Sequence, residues 1–349
     1  MTCIECDRIL CIIRKVKKMK IIDMHCDTIS VLLDDEKAGK PISIKENEYS
    51  VDLVKMKKAG YMLQNFAAFI CLKKEANPVL RAQQLIDLYY REIEKHRDMI
   101  RPVYNYNDIL ENEKMGIMSS LLTLEEGGVV FDDLSMLRNY YRLGVRMITL
   151  TWNYENGIGF PNVNSLEVHA FEDIKKINDK DGLTSFGIEY IKEMERLGIM
   201  IDVSHLSDAG FYDVLKYSEK PFVASHSNAR SICDVARNMS DDMILQLANR
   251  RGVMGINFAG DFLKQSDVGD EKSMIEDMVH HIKYIRALAG IDVIGLGSDF
   301  DGIPDNLELK DASLMYLLIN ALEKEGFKQE EIEKICYKNV LRVYQEILK

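Results

Sequence analysis

Short apolar, β-branched segments alternate with amphipathic segments along almost the whole chain, and this alternation is the feature that most constrains the fold. The predicted strands lie near residues 20–25, 64–71, 117–124, 145–151, 199–204, 221–225, 253–258 and 293–297. The predicted helices lie at 80–99, 133–143, 184–197, 207–217, 240–250 and 273–289, and two more close the chain at 311–323 and 329–347. This order predicts an α/β fold, a single (β/α)8 TIM-like barrel with its active site at the C-terminal ends of the strands.

A doubly wound open sheet is the alternative fold, but no G-x-G-x-x-G motif follows the first predicted strand. The chain has six prolines and no Ser/Gly-rich linker, so we see no boundary between domains. We therefore predict one barrel domain over residues 19–349, preceded by an N-terminal extension, residues 1–18, that lies outside the fold.

The composition argues against several classes of function. Acidic residues outnumber basic ones by 56 to 45, so the net charge is −11 and no basic face is visible for nucleic acid. No apolar run reaches the roughly 18 residues that span a bilayer, and the first residues lack the order of a secretory signal, so we expect no membrane anchor. Seven cysteines at irregular spacing suit a reducing compartment, which predicts a cytoplasmic protein.

Ionisable residues lie at the predicted strand ends, where a barrel forms its active site. Three of the seven histidines lie there, namely His25, His205 and His226. The other four, which we expect to be solvated, are His96, His169, His280 and His281. Carboxylates lie at the same kind of position, namely Asp27, Glu125, Glu126, Asp202, Asp299 and Asp301. Because buried charge must be paired or coordinated, this concentration predicts a metal centre.

The number of candidate ligands bears on the number of ions. A single catalytic zinc ion needs three protein ligands and a water molecule, which is fewer than the strand ends supply. A carboxylate that bridges two ions would use the whole set, and such a pair of ions is suited to hydrolysis.

These residues resemble the membrane (renal) dipeptidase family of binuclear zinc peptidases, in the amidohydrolase-like barrel class. The resemblance begins at Met19 and covers nearly the whole remaining chain. It rests on separate stretches in a fixed order, namely 23–27, 126–128, 143–151, 201–205, 225–227, 237–238 and 297–302. The tripeptide at 151–153, Thr-Trp-Asn, is similar to bacterial members of the family.

The resemblance implies a role for each metal ligand. The implied ligands are His25 and Asp27 for one zinc ion, His205 and His226 for the second, and Glu126 as the bridge between the two. Glu125 is then expected to point to the opposite face of the strand and to be structural.

The resemblance also implies which residues contact the substrate. Arg237 binds its terminal carboxylate, which suits a planar guanidinium that forks two hydrogen bonds onto a carboxylate. Asp299 lies near the scissile amide and passes a proton to the departing amine. Trp152 occupies a position where the mammalian members have a histidine that helps to hold the substrate carbonyl oxygen. An indole donates one N–H but cannot ionise, so Asn153 is the other candidate donor.

The predicted function is a zinc-dependent dipeptidase, in which a hydroxide that bridges two Zn²⁺ ions attacks the peptide bond of a dipeptide. The resemblance also suggests a homodimer. One alternative is another binuclear-metal amidohydrolase, such as a deaminase or a lactone or phosphotriester hydrolase. Many of those use a carboxylated lysine on the fourth strand, and residues 145–151 contain no lysine. The other alternative is a non-catalytic binding barrel, which should have lost a ligand, whereas every expected metal position is filled.

Overall fold

The structure, a computed structural model, describes residues 19–167, 171–265 and 272–349. The predicted extension, residues 1–18, lies outside the described residues. The strands are β1 (Ile21–Asp23), β2 (Tyr61–Phe69), β3 (Ile100–Pro102), β4 (Met118–Glu125), β5 (Val145–Thr149), β6 (Met200–Asp202), β7 (Val223–Ser227), β8 (Val253–Ile256) and β9 (Ile294–Leu296).

Eight of these strands close into a parallel barrel, as the sequence predicts. β1 pairs with both β2 and β9, β2 pairs with β4, and the order then continues from β4 through β9. β3 was not predicted, and it pairs only with the first residues of β4, outside the closed ring. Its three residues, Ile-Arg-Pro, include a charged side chain and a proline, so the sequence shows no apolar run there.

The helices cover the outside of this barrel. They are α1 (Thr28–Lys37), α2 (Leu53–Ala59), α3 (Pro78–Lys95), α4 (Tyr106–Lys114), α5 (Leu134–Arg142), α6 (Ser185–Leu197), α7 (Asp208–Tyr217), α8 (Asp241–Asn249), α9 (Gly260–Leu263), α10 (Ile275–Ala289), α11 (Tyr316–Lys324), α12 (Gln329–Glu333) and α13 (Asn339–Ile347). A π-helical turn, Lys334–Lys338, joins α12 to α13, so the predicted last helix is continuous but locally widened. The short helices α1, α2, α4 and α9 were not predicted.

Side-chain caps fix where many of the helices begin. An oxygen of the capping residue accepts a backbone N–H of the first turn at Asp52, Asn77, Asn105, Asp133, Thr184, Ser207 and Ser240. Each such cap contributes about 1 kcal/mol to the stability of its helix. The caps therefore set the length of the loops that connect strand ends to helices.

Apolar side chains fill the interior of the barrel. One buried cluster joins residues of seven strands, namely Ile22, Leu63, Leu121, Met147, Met200, Val223 and Val253. Val340, Val343 and Tyr344 of α13 belong to the same cluster and cover the N-terminal end of the barrel. Because this end is packed with apolar side chains, a polar site has room only at the C-terminal ends of the strands.

Candidate metal centre

Six ionisable side chains meet at the C-terminal end of the barrel. His25 and Asp27 lie in the segment after β1, and Glu125 is the last residue of β4. His205 and Asp299 lie in the segments after β6 and β9, and His226 lies within β7. Five are buried, and the sixth, His205, has a side chain that is 9% exposed. Unpaired charge is costly at this depth, so the cluster calls for a cation or for protonation.

Glu125 lies at the centre of the cluster, and its two oxygens face different partners. Oε2 is 3.2 Å from His25 Nε2. Oε1 is 3.2 Å from His205 Nε2 and 3.7 Å from His226 Nε2. The Nε2 atoms of His205 and His226 are 3.1 Å apart. One carboxylate thus lies between a pair of imidazoles on one side and a third imidazole on the other.

A second group of ligand atoms surrounds His25. Its Nε2 is 3.4 Å from Asp27 Oδ2 and 3.7 Å from Asp299 Oδ1. Two nitrogen ligands on a tetrahedral zinc ion, with bonds of about 2.0–2.1 Å, lie about 3.3 Å apart. The separations in both groups are close to this value, so the donor atoms have a spacing that suits a divalent ion.

The electrostatics of the imidazole pair also suit a metal. Burial, together with the charge of Arg237, lowers the pKa of His205 to about 4. Burial and the neighbouring His25 hold the pKa of His226 well below its usual range. Both rings are therefore neutral near pH 7, which leaves each a lone pair to donate.

The carboxylates respond to burial in two ways. Burial raises the pKa of Asp27 to about 6 and that of Asp299 to about 7. Burial also raises the pKa of Glu125, but the charge of His25 and the contact with the His205 ring outweigh it, so the pKa lies well below its usual range. Glu125 is thus the carboxylate most firmly held in its charged form.

The structure places the carboxylate of Glu126, the predicted bridge, away from the imidazoles. Oε1 accepts hydrogen bonds from Gly128 N at 2.8 Å and Asn156 Nδ2 at 2.5 Å. Oε2 accepts one from Trp152 N at 3.2 Å. Glu126 therefore ties the loop after β5 to the end of β4, and burial raises its pKa to about 7.

Strand alternation explains why Glu125, and not Glu126, faces the imidazoles. Leu121 belongs to the cluster inside the barrel, whereas Leu122 and Leu124 belong to the cluster that packs against the helices. Side chains alternate along a strand, so Glu125 shares the inner face with Leu121. This signal was present in the sequence, since Glu126 follows the leucines of the outer face at two-residue spacing.

Asn153 lies beside the cluster, and its side-chain amide contacts His205, one of the predicted metal ligands. Its Oδ1 is 2.8 Å from His205 Nδ1. An amide oxygen can only accept, so the ring N–H is on Nδ1 and His205 Nε2 is free as a donor atom. This contact uses the amide oxygen of Asn153 and leaves its Nδ2, the predicted oxyanion donor, available.

A cavity of about 520 Å³ opens over the cluster. It is lined in part by Asp27, Glu125, Trp152, Asn153, His205 and Asp299. The indole of Trp152 packs against Phe69 with 5.0 Å between ring centroids and against Tyr154 with 5.5 Å. Of these rings, Trp152 and Phe69 line the cavity and give it an aromatic wall.

Arg237 is buried next to the cavity with unused hydrogen-bonding capacity. Its Nη2 donates to His226 O at 2.9 Å, while Nε and Nη1 have no hydrogen-bond partner among the described residues. The ring of Phe262, which lines the cavity, lies 5.6 Å from the guanidinium carbon. A buried guanidinium with free N–H groups is suited to bind an anion.

One histidine outside the cluster departs from its predicted environment. His281 was expected to be solvated, but it is fully buried. Its Nδ1 accepts a hydrogen bond from Ala229 N at 3.1 Å, and its Nε2 is 2.9 Å from Leu263 O. His280 is exposed and His96 is half-buried, whereas His169 lies outside the described residues.

Comparison with known proteins addresses the family directly. The family model described as membrane dipeptidase (peptidase family M19) matches residues 12–349. The chain belongs to this family. It is therefore a metallopeptidase that hydrolyses dipeptides, and the resemblance inferred from the sequence is confirmed.

Individual members of the M19 family support the assignment. An uncharacterized dipeptidase of Schizosaccharomyces pombe is 33% identical over 352 residues, which cover 95% of this chain and 81% of the relative. The solved structure of dipeptidase AC, an M19 metallopeptidase, is 25% identical, covers 95% of this chain and 99% of its own, and superposes with a TM-score of 0.84.

A further solved structure supports the fold. A metallopeptidase from Rhodobacter sphaeroides, solved with a phosphinate mimic of the dipeptide L-Ala-D-Ala, has a TM-score of 0.83 at 24% identity. It covers 94% of this chain and 99% of its own.

As for membrane insertion, none of the helices within the described ranges combines the length and the apolar character needed to cross a bilayer.

Proposed function

We propose that this M19 dipeptidase uses two zinc ions that are held by five side chains. The ligands are His25 and Asp27 for one ion, His205 and His226 for the other, and Glu125 between them. The observation that carries this proposal is the position of Glu125, whose Oε2 faces His25 while its Oε1 faces His205 and His226. Two ions held there would supply an activated water molecule as the nucleophile and would stabilise negative charge on the carbonyl oxygen of the substrate.

Arg237 is the group that selects the substrate by its C-terminus. Its Nε and Nη1 atoms have no partner among the described residues, so the guanidinium retains N–H donors for a carboxylate. The guanidinium is held by the carbonyl of His226, so its distance from that ligand is fixed. A carboxylate bound there lies one residue beyond the scissile bond, which limits the substrate to a dipeptide.

Asp299 is the group that moves a proton to the departing amine. Its Oδ2 accepts a hydrogen bond from Asn257 Nδ2 at 2.8 Å, so the carboxyl is held in one orientation. Its Oδ1 lies 3.7 Å from His25 Nε2, at the edge of the cluster. A pKa near 7, which burial produces, suits a group that must both take and give a proton.

The proposal includes a homodimeric enzyme that works in the cytoplasm. Cys26, Cys71, Cys233 and Cys336, which are the cysteines among the described residues, are unpaired and buried. Free thiols persist in a reducing compartment, which supports that location. Sedimentation of the purified chain tests the dimer.

The experiment combines metal analysis with a substrate panel. We expect two zinc ions per chain after purification without chelator and reloading with zinc. We also expect turnover of dipeptides, assayed with both stereoisomers at the second residue, and poor turnover of tripeptides and of dipeptide amides. A stoichiometry of one ion after zinc titration contradicts the binuclear site. Equal turnover of free and amidated dipeptides contradicts the role of Arg237.

A further inference from the structure

Asp202, the last residue of β6, is a buried carboxylate with no role in the chemistry described so far. Its Oδ1 accepts hydrogen bonds from Ser204 N at 3.0 Å and Ser225 N at 2.8 Å. Its Oδ2 accepts from Thr149 Oγ1 at 2.6 Å and Ser225 Oγ at 2.5 Å. All four partners are donors, which is the arrangement that a charged carboxylate accepts and a carboxylic acid does not.

Ser225 connects this carboxylate to a proposed metal ligand. Its Oγ lies 2.5 Å from Asp202 Oδ2 and 2.7 Å from His226 Nδ1, and a longer contact of 3.3 Å reaches Ser204 Oγ. A hydroxyl has one hydrogen, and the carboxylate can only accept, so that hydrogen is directed to Asp202. His226 Nδ1 must then donate to Ser225 Oγ. In a neutral imidazole this leaves Nε2 without a hydrogen.

We propose that Asp202 is a positioning residue that acts through Ser225 to fix the tautomer of His226. The tautomer with its hydrogen on Nδ1 directs the Nε2 lone pair toward Glu125 and His205, where it can bind a metal ion. The inference rests on the proposed function only in taking His226 as a ligand. Hydrogen-bonded partners of this kind raise metal affinity by 10–100-fold in other proteins.

A second buried carboxylate provides a matched control. Asp23, the last residue of β1, accepts hydrogen bonds from Ser298 N at 2.8 Å and Ser298 Oγ at 2.6 Å, so it also ends a strand and binds a serine. The other acceptor near Ser298 Oγ is the backbone carbonyl of His25, at 3.2 Å, and not an imidazole. Asp23→Asn therefore perturbs an equivalent buried hydrogen-bond network without touching a histidine ring.

The decisive variant is Asp202→Asn, which keeps the shape of the side chain. The new amide can donate to Ser225 Oγ, which frees the serine hydrogen to be donated to His226 Nδ1. The ring hydrogen then moves to Nε2, the atom that should bind metal. We expect two-bond ¹H–¹⁵N spectra of the metal-free, ¹⁵N-histidine-labelled chain to show the Nδ1–H tautomer in wild type and the Nε2–H tautomer in the variant.

Zinc affinity gives the second measurement. Competition with a chelator should show one of the two ions bound about 10–100-fold more weakly in Asp202→Asn, with the other nearly unchanged. Ser225→Ala, which removes the connecting hydroxyl, should weaken the same ion and remains informative if Asp202→Asn does not fold. Asp23→Asn should leave the His226 tautomer as in wild type.

Two results overturn the inference. One is a folded Asp202→Asn protein with the wild-type tautomer and wild-type affinity for both ions. The other is an Asp23→Asn protein that changes the His226 signal as much as Asp202→Asn does, which reduces Asp202 to a structural role. Because the tautomer is read in the metal-free chain, these outcomes are independent of whether the chain turns over dipeptides by the proposed mechanism.

Discussion

The two sides of the site present opposite chemistry to the cavity. The carboxylate side, at the ends of β1 and β9, carries His25, Asp27 and Asp299, and burial raises the pKa of both aspartates, to about 6 and about 7. The imidazole side, at the ends of β6 and β7 and the loop that follows, carries His205, His226 and Arg237. There, burial lowers the pKa of both histidines.

Burial therefore shifts the pKa of the aspartates and the pKa of these histidines in opposite directions. Buried carboxyl groups become harder to ionise and buried imidazoles become harder to protonate, because burial disfavours whichever form is charged. A divalent cation can bind to both sides, since it pairs with carboxylates and accepts imidazole lone pairs. Glu125 faces both sides, so it is the residue whose change should disturb both ions.

The largest effect is expected from Glu125→Gln. Loss of the shared carboxylate should weaken both ions and reduce kcat/KM on the order of 10³-fold, because metal ions contribute several kcal/mol of charge stabilisation. The matched control is Glu126→Gln, which alters the neighbour that holds Gly128, Trp152 and Asn156.

The control should lose stability while it keeps both ions. Metal content after zinc reloading and steady-state kinetics of the two variants check the expectation. A Glu126→Gln protein that loses its metal while Glu125→Gln keeps it would return the bridge to Glu126.

These glutamates also show how far the sequence could lead. Strand ends are visible as apolar runs that stop at charged residues, so the barrel and the positions of His25, His205 and His226 could be predicted. To choose between the adjacent glutamates, one must know which residues of β4 face the inside of the barrel. A one-residue shift in this assignment reverses the answer. The alternation of Leu122 and Leu124 contained that information, since Glu126 continues it at two-residue spacing.

Other features could not be predicted because they depend on contacts between distant segments. His281 lies in an amphipathic helix beside the exposed His280, and only packing against Ala229 and Leu263 shows that it is the buried one. Asn153 likewise follows Trp152 in a loop, and its contact with His205 joins segments 52 residues apart. Sequence patterns report periodicity along an element and not the partners of a loop side chain.

The second prediction tests the imidazole side through Arg237→Lys. An ammonium cannot reproduce the planar fork, so we expect kcat/KM for a free dipeptide to fall by roughly 10–150-fold, which corresponds to about 1.5–3 kcal/mol. Metal content should not change, because no ligand is removed.

The control for this prediction is Arg230→Lys. Arg230 precedes it in the same loop and pairs with both oxygens of Asp208 at 2.7 Å, away from the cluster. We expect the Arg230→Lys protein to retain its preference for free over amidated dipeptides. If both variants reduce that preference equally, the loop as a whole matters and not the guanidinium of Arg237.

The third prediction concerns how His281, which packs beside the imidazole side, makes the stability of the protein depend on pH. His281 binds the loop after β7, and burial lowers its pKa from 6.5 to about 4. A histidine whose pKa is lowered in the folded state stabilises the protein above pH 6.5, and this contribution is lost as the pH falls from 6.5 toward 4. The difference corresponds to about 3 kcal/mol.

Urea unfolding between pH 7 and pH 4 measures this contribution. In His281→Gln the free energy of unfolding should fall less steeply with decreasing pH than in wild type, while His280→Gln, which alters the exposed neighbour, should follow the wild-type slope. Identical slopes for all three proteins would place the acid sensitivity elsewhere.

The smallest effect is expected from Trp152→Ala, which changes the cavity wall without changing a ligand. The backbone N–H of Trp152 remains bonded to Glu126, so the loop should keep its course while the indole contacts with Phe69 and Tyr154 are lost. If the ring serves as an apolar surface for a substrate side chain, KM should rise by roughly tenfold, about 1.4 kcal/mol, with kcat nearly unchanged. Trp152→Phe should restore most of the binding. A fall in kcat at constant KM, not rescued by phenylalanine, would instead identify the indole N–H as a donor to the carbonyl oxygen in the transition state.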